Sequence, residues 1–161
     1  MRKRLVLPAI VAVALTLVAA FTIARGEPVT TGDLAITEAW ARATPPGTTV
    51  GAAYVTIENR GGADDALVAA KSPLAGTIEI HATVTEGAVA GMRRVEKFVV
   101  PAGASMAMAP GGAHLMLMQL SAPLREGALL PLTLVFERAG EVTLDVDIAP
   151  LGAMSPASGG N

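Results

Sequence analysis

The chain has 161 residues, 52% of them hydrophobic, only 16% charged and 3% aromatic, with a formal charge of −2. That length fits one domain, and without a basic stripe or aromatic platform there is no footprint for nucleic-acid binding. Cysteine is absent, which excludes disulfides and thiolate metal ligands and leaves an exported domain to rely on its core.

In chain order, residues 1–26 open with Arg2, Lys3 and Arg4, continue as an apolar run from Leu5 to about Ala24, and hold no acidic residue. This is a secretory signal pattern, with small residues at Ala19 and Ala20 suited to cleavage. The run is also long enough to span a membrane as an N-terminal anchor if it is retained. With no cysteine beside it, it offers no lipoprotein anchor. Either way the folded part is exported. Without residues 1–20, which carry Arg2, Lys3 and Arg4, nine basic residues remain against 14 acidic ones, a formal charge of about −5.

The folded part is expected over residues 27–149. The stretch VGAAYVTIEN (50–59) alternates as a strand and ends in the turn signal NRGGADD. GTIEIHATV (76–84) alternates Ile78 and Ile80 against Glu79 and His81. The loop TEGAVAG leads into MRRVEKFVV, which Pro101 and Gly103 close. LPLTLVFERAGEVTLDVDI (130–148) reads as a hairpin turning at Ala139–Gly140. No segment between 33 and 150 sustains an apolar period of about 3.6 residues, so little helix is expected. Short strands with regular turns predict an all-β sandwich or barrel of Greek-key type. The tail, 150–161, is rich in Pro, Gly and Ser and is expected to be flexible.

The candidate chemistry lies in PGGAHLMLMQL (110–120), where His114, Met116 and Met118 recur at every second position. On a strand these share one face, and Leu115 and Leu117 point the other way. The other histidine, His81, precedes a loop centred near Gly87, and a hairpin there would bring Met92 close to it. Imidazole is a borderline ligand and thioether a soft, neutral one, and that combination selects Cu(I). A blue-copper site needs a cysteine thiolate, as do iron–sulfur clusters, so both fail here. A single methionine in a strand is more often core filler, and Met106, Met108 and Met118 are read so, with a secondary role for Met106 or Met108 left open. A lone histidine in a strand is usually a surface or hydrogen-bonded residue.

Ten residues separate His81 from Met92, twenty-one separate Met92 from His114, and one separates His114 from Met116. That spacing resembles the copper-binding pattern of the periplasmic copper chaperones of the PCu(A)C family. The flanking stretches WARATPPGTTVGAAYVTIEN, VPAGASMAMAPGGAHLMLMQLSAPLREG and LTLVFERAGEVTLDVDI are similar to it too, so the resemblance covers roughly Leu34 to Ala149. It implies a cupredoxin-like Greek-key β-barrel or sandwich that binds one Cu(I) per chain at an exposed site, with His81, Met92, His114 and Met116 as ligands. The implied role is periplasmic: a monomer passing copper to the copper-bearing subunit of cytochrome c oxidase or to another oxidase copper-assembly protein. Many members have a methionine beside the first histidine, where this chain has Ala82. Some carry a His/Met-rich C-terminal extension for Cu(II), whereas this tail has only Met154.

Two other readings make different expectations. A structural or adhesive exported β-sandwich, with core methionines and no metal, expects His81 and His114 far apart. An enzyme is not expected, because no nucleophile elbow, paired-carboxylate motif or phosphate loop appears.

Overall fold

The computed structural model describes residues 28–156. The expected leader, 1–26, and the last residues of the expected tail, 157–161, lie outside the described residues. Among the described residues there are eleven strands and no helix. They are β1 (Val29–Thr31), β2 (Leu34–Arg42), β3 (Val50–Asn59), β4 (Asp65–Lys71), β5 (Ala75–Glu86) and β6 (Val89–Val95), then β7 (Phe98–Val100), β8 (Ser105–Ala107), β9 (His114–Leu120), β10 (Leu129–Phe136) and β11 (Gly140–Ala149).

Alternation in the sequence decides which side of each strand is buried. In β10, Leu130, Leu132, Leu134 and Phe136 are all at most 3% exposed, and the residues between them face outward. Pro131, which cannot donate to a ladder, lies on the part of β10 that β4 has not yet joined. The β10–β11 hairpin forms as the sequence predicts, pairing Phe136 with Gly140, whose φ of 81° suits glycine. In β3, Ala53, Val55 and Ile57 enter the core. Each buried Val, Leu, Ile or Phe side chain among these contributes about 1.5–3 kcal/mol.

The strands hydrogen-bond in the order β6-β5-β9-β3-β2-β11-β10-β4-β7, with β1 on β2 and β8 on β3. One pairing, β11 with β2, is parallel. Sequence pattern alone joins MRRVEKFVV into one segment, and here the structure differs. The chain breaks at Glu96–Lys97, and β6 and β7 go to opposite edges of the sheet. Those edges are joined by only two residues, and a stretch from Val95 to Phe98 spans at most about 10 Å. The sheet must therefore curl until its two edges meet. The result is the cupredoxin-like all-β fold, with the core enclosed and β5, β6 and β9 side by side along one edge.

Two buried polar side chains tie the turns down. Asn59 Nδ2 donates to the carbonyls of Ala63 (2.9 Å) and Val100 (3.0 Å). The Asp65 carboxylate accepts backbone N–H bonds from Ala66, Arg138 and Ala139 at 2.7, 3.0 and 2.9 Å.

Candidate metal centre

In β9 the sequence HLMLMQL splits cleanly by face. Leu115 and Leu117 are fully buried, whereas His114, Met116 and Met118 are half-buried on the opposite face. The alternation ends at Gln119, which has φ 53°. That left-handed residue lets Leu120 rather than Gln119 turn into the core. Gly76 lies opposite, where any Cβ would collide with the Gln119 side chain.

A tight turn delivers His114 to the start of this strand. Ala109–Pro110–Gly111–Gly112 is closed by the Gly112 N–H donating to the Ala109 carbonyl at 2.9 Å. Proline second and a glycine at φ 81° third make it a type II turn. It presents the Gly112 carbonyl 3.0 Å from His114 Nδ1. A carbonyl only accepts, so Nδ1 carries the proton and Nε2 keeps the lone pair.

Strand pairing assembles the rest. β5 runs antiparallel to β9 with His81 directly opposite His114 and Glu79 opposite Met116. The two imidazole centroids are 5.3 Å apart with planes inclined at 39°. On the other side of β5, the partner of His81 is Arg94, and Met92 pairs with Thr83. Met92 is thus two rungs along the ladder from His81 rather than opposite it, and it shares the His81 face because residues two apart face alike. All four predicted ligand residues stand on one outward face of three neighbouring strands, each half-buried.

Of the methionines read as core filler, Met108 is buried and Met106 packs against the core. Met118 corrects that reading. It continues the His114–Met116 row, half-buried, opposite Val50 and Thr77, and it does not join the core. The reason is the strand period: a residue two places from Met116 must share its face.

Pattern reasoning passed over two neighbours of the histidines. Glu79 Oε2 lies 3.0 Å from His81 Nε2, and its other oxygen lies 3.7 Å from Arg94 Nη1. Its position two residues before His81 was the available signal. Beside His114 and Met116 a cavity of about 300 Å³ opens, bordered also by Arg42, Val50, Ala52 and Leu151. Arg42 sits over the Tyr54 ring and donates to the Ala153 carbonyl at 2.6 Å, so residues 151–153 lie against this end of the barrel.

The family model described as "Putative lipoprotein LpqE-like" matches residues 34–148. The chain belongs to the LpqE-like family. A curated relative, "Putative lipoprotein Lxx21020" of Leifsonia xyli subsp. xyli, is 37% identical over 102 residues, 63% of this chain. The match spans 60% of that relative's own length. These relatives are named as lipoproteins, while the present 161 residues include no cysteine to carry a lipid.

Among solved structures, the apo PCuAC domain of PmoF2 matches with a TM-score of 0.69 and 30% identity, over 80% of this chain and 99% of that domain. The copper-bound PCuAC domain of PmoF2 matches at 0.67 and 30%, over 77% of this chain and 98% of that one. The Cu(I) form of DR1885 from Deinococcus radiodurans matches at 0.60 and 28%, over 78% of this chain and 81% of that one. The family expected from ligand spacing therefore appears among the structural neighbours of this LpqE-like chain.

Proposed function

We propose that this protein is an exported, periplasmic Cu(I) metallochaperone rather than an enzyme, binding one Cu(I) per chain through His81, Met92, His114 and Met116. The observation that carries the reading is the cross-strand histidine pair, 5.3 Å between ring centroids, on the face that also holds Met92 and Met116. The adhesive or structural reading expected these histidines to lie apart. Similar solved domains include copper-bound forms, which supports copper as the cargo.

Ligand chemistry supports the same choice. Among the described residues no group of three His, Asp, Glu or Cys side chains is arranged to hold a metal ion. The side chains that share the histidine face and could add donors to a metal there include the thioether sulfurs of Met92 and Met116, a combination that favours Cu(I) over Zn(II). Half-exposed ligands on an outward face leave one side open to an incoming donor. Delivery is ligand exchange: a thiolate or imidazole of the recipient attacks from that side, and the neutral thioethers leave in turn. The proposed recipient is the copper-bearing subunit of cytochrome c oxidase or another oxidase copper-assembly protein.

The test is competition between the full chain and a Cu(I)-selective chelator under reducing conditions, with Zn(II) as competitor. One tightly held Cu(I) per chain, undisturbed by zinc, is the expected result. A one-to-one zinc complex that Cu(I) fails to displace refutes the proposal.

A further inference from the structure

The two histidines are held by different ring nitrogens. His114 gives its Nδ1 to the Gly112 carbonyl at 3.0 Å. His81 instead gives its Nε2 to the Glu79 carboxylate, also at 3.0 Å. Both partners are acceptors only, so the nitrogen facing each one carries the ring proton. In a neutral imidazole the remaining nitrogen then holds the lone pair. For His114 that is Nε2, and for His81 it is Nδ1.

Glu79 is well placed to enforce this. It stands two residues before His81 on the same strand face, directly across from Met116. Its side chain and that of His81 are only 22% and 18% exposed, so water competes weakly for the bond. The second carboxylate oxygen is turned towards Arg94, the cross-strand partner of His81, which steadies the carboxylate without burying the cation: Arg94 is 72% exposed. Along the rungs that carry the four ligand residues, Glu79, His81 and Thr83 line β5, Met92 and Arg94 line β6, and His114 and Met116 line β9. Glu79 is the one carboxylate in that set. Two imidazoles and two thioethers bring no charge to a monovalent cation, and this carboxylate brings one.

Building on the copper reading above, we infer that Glu79 is a positioning residue of the site. It locks His81 in the Nε2–H tautomer, so that copper meets Nδ1 of His81 but Nε2 of His114, and its charge offsets that of the bound ion. Carboxylates that hold a ligating histidine in this way are worth roughly 10- to 100-fold in metal affinity.

Long-range proton–nitrogen NMR of the imidazoles tests the tautomers directly, on the full chain without metal, at about pH 8, where free imidazole is neutral. The wild type should show His81 protonated on Nε2 and His114 protonated on Nδ1. In Glu79→Ala, His81 should become a mixture of tautomers while His114 stays as it was, and Cu(I) affinity by chelator competition should fall about tenfold. Glu79→Gln keeps an oxygen acceptor and loses the charge, so it should retain the tautomer and lose less affinity. Thermal melting of each variant confirms that the fold is intact. A wild-type His81 protonated on Nδ1 overturns the inference. So does a Glu79→Ala protein that binds copper as tightly as wild type. A wild type that leaves all copper with the chelator overturns the metallochaperone reading itself, and Glu79's role with it, so the two failures are distinguishable.

Discussion

Replacing Met116 with Leu separates a metal-binding methionine from a packing one. Met116 is half-buried on the outward face, between Ala52 of β3 and Glu79 of β5, and is absent from the buried core. Leucine conserves volume and apolarity, so stability should fall by less than about 1.5 kcal/mol. The same change deletes a sulfur donor two residues along the strand from the histidine pair. Loss of Cu(I) affinity should reach at least about tenfold, or roughly 1.4 kcal/mol. Met118→Leu is the internal control. It lies two residues beyond Met116, roughly 6.6 Å further along the strand from the histidine pair, and outside the proposed ligand set. Its copper affinity should match wild type. Chelator competition and thermal melting on both variants provide the readout. Equal affinity in Met116→Leu and wild type would remove Met116 from the site, and a loss in Met118→Leu as large as in Met116→Leu would refute the rung assignment.

Gly111→Ala tests the turn before His114. Nothing lies within 4 Å of the added Cβ, so its cost is the left-handed backbone alone, about 1–2 kcal/mol by denaturant melting, accompanied by weaker copper binding as the Gly112 carbonyl loses its hold on His114. Asp65→Ala strands the backbone N–H groups of Ala66, Arg138 and Ala139, and should cost on the order of 3 kcal/mol in chemical denaturation, with Asp65→Asn, which keeps an acceptor oxygen, milder. Leu117→Ala, at a fully buried site beneath Met116 and Met118, should cost about 2–5 kcal/mol, and an effect below 1 kcal/mol in urea melts would mean that β9 is not packed as described.

Much of the site was written locally. The period of two in HLMLMQL separates His114 and Met116 from Leu115 and Leu117 without any partner strand, because successive side chains of an extended chain must oppose one another. PGG before the histidine specifies its own turn through the fixed φ of proline and the permissive φ of glycine. Even Glu79 was within reach, since a residue two places from His81 shares its face. Tertiary structure decided what local rules leave free. That His81 meets His114 depends on β5 pairing with β9, strands separated in sequence by β6, β7 and β8. That Arg94, and not Met92, faces His81 depends on the register of the β5–β6 hairpin, which a shift of one residue would turn inside out. The parting of β6 and β7 to opposite edges was likewise invisible in the continuous stretch MRRVEKFVV. Periodicity states which face a side chain takes. Which faces meet is set by closure of the whole sheet around its core, a property of no single strand.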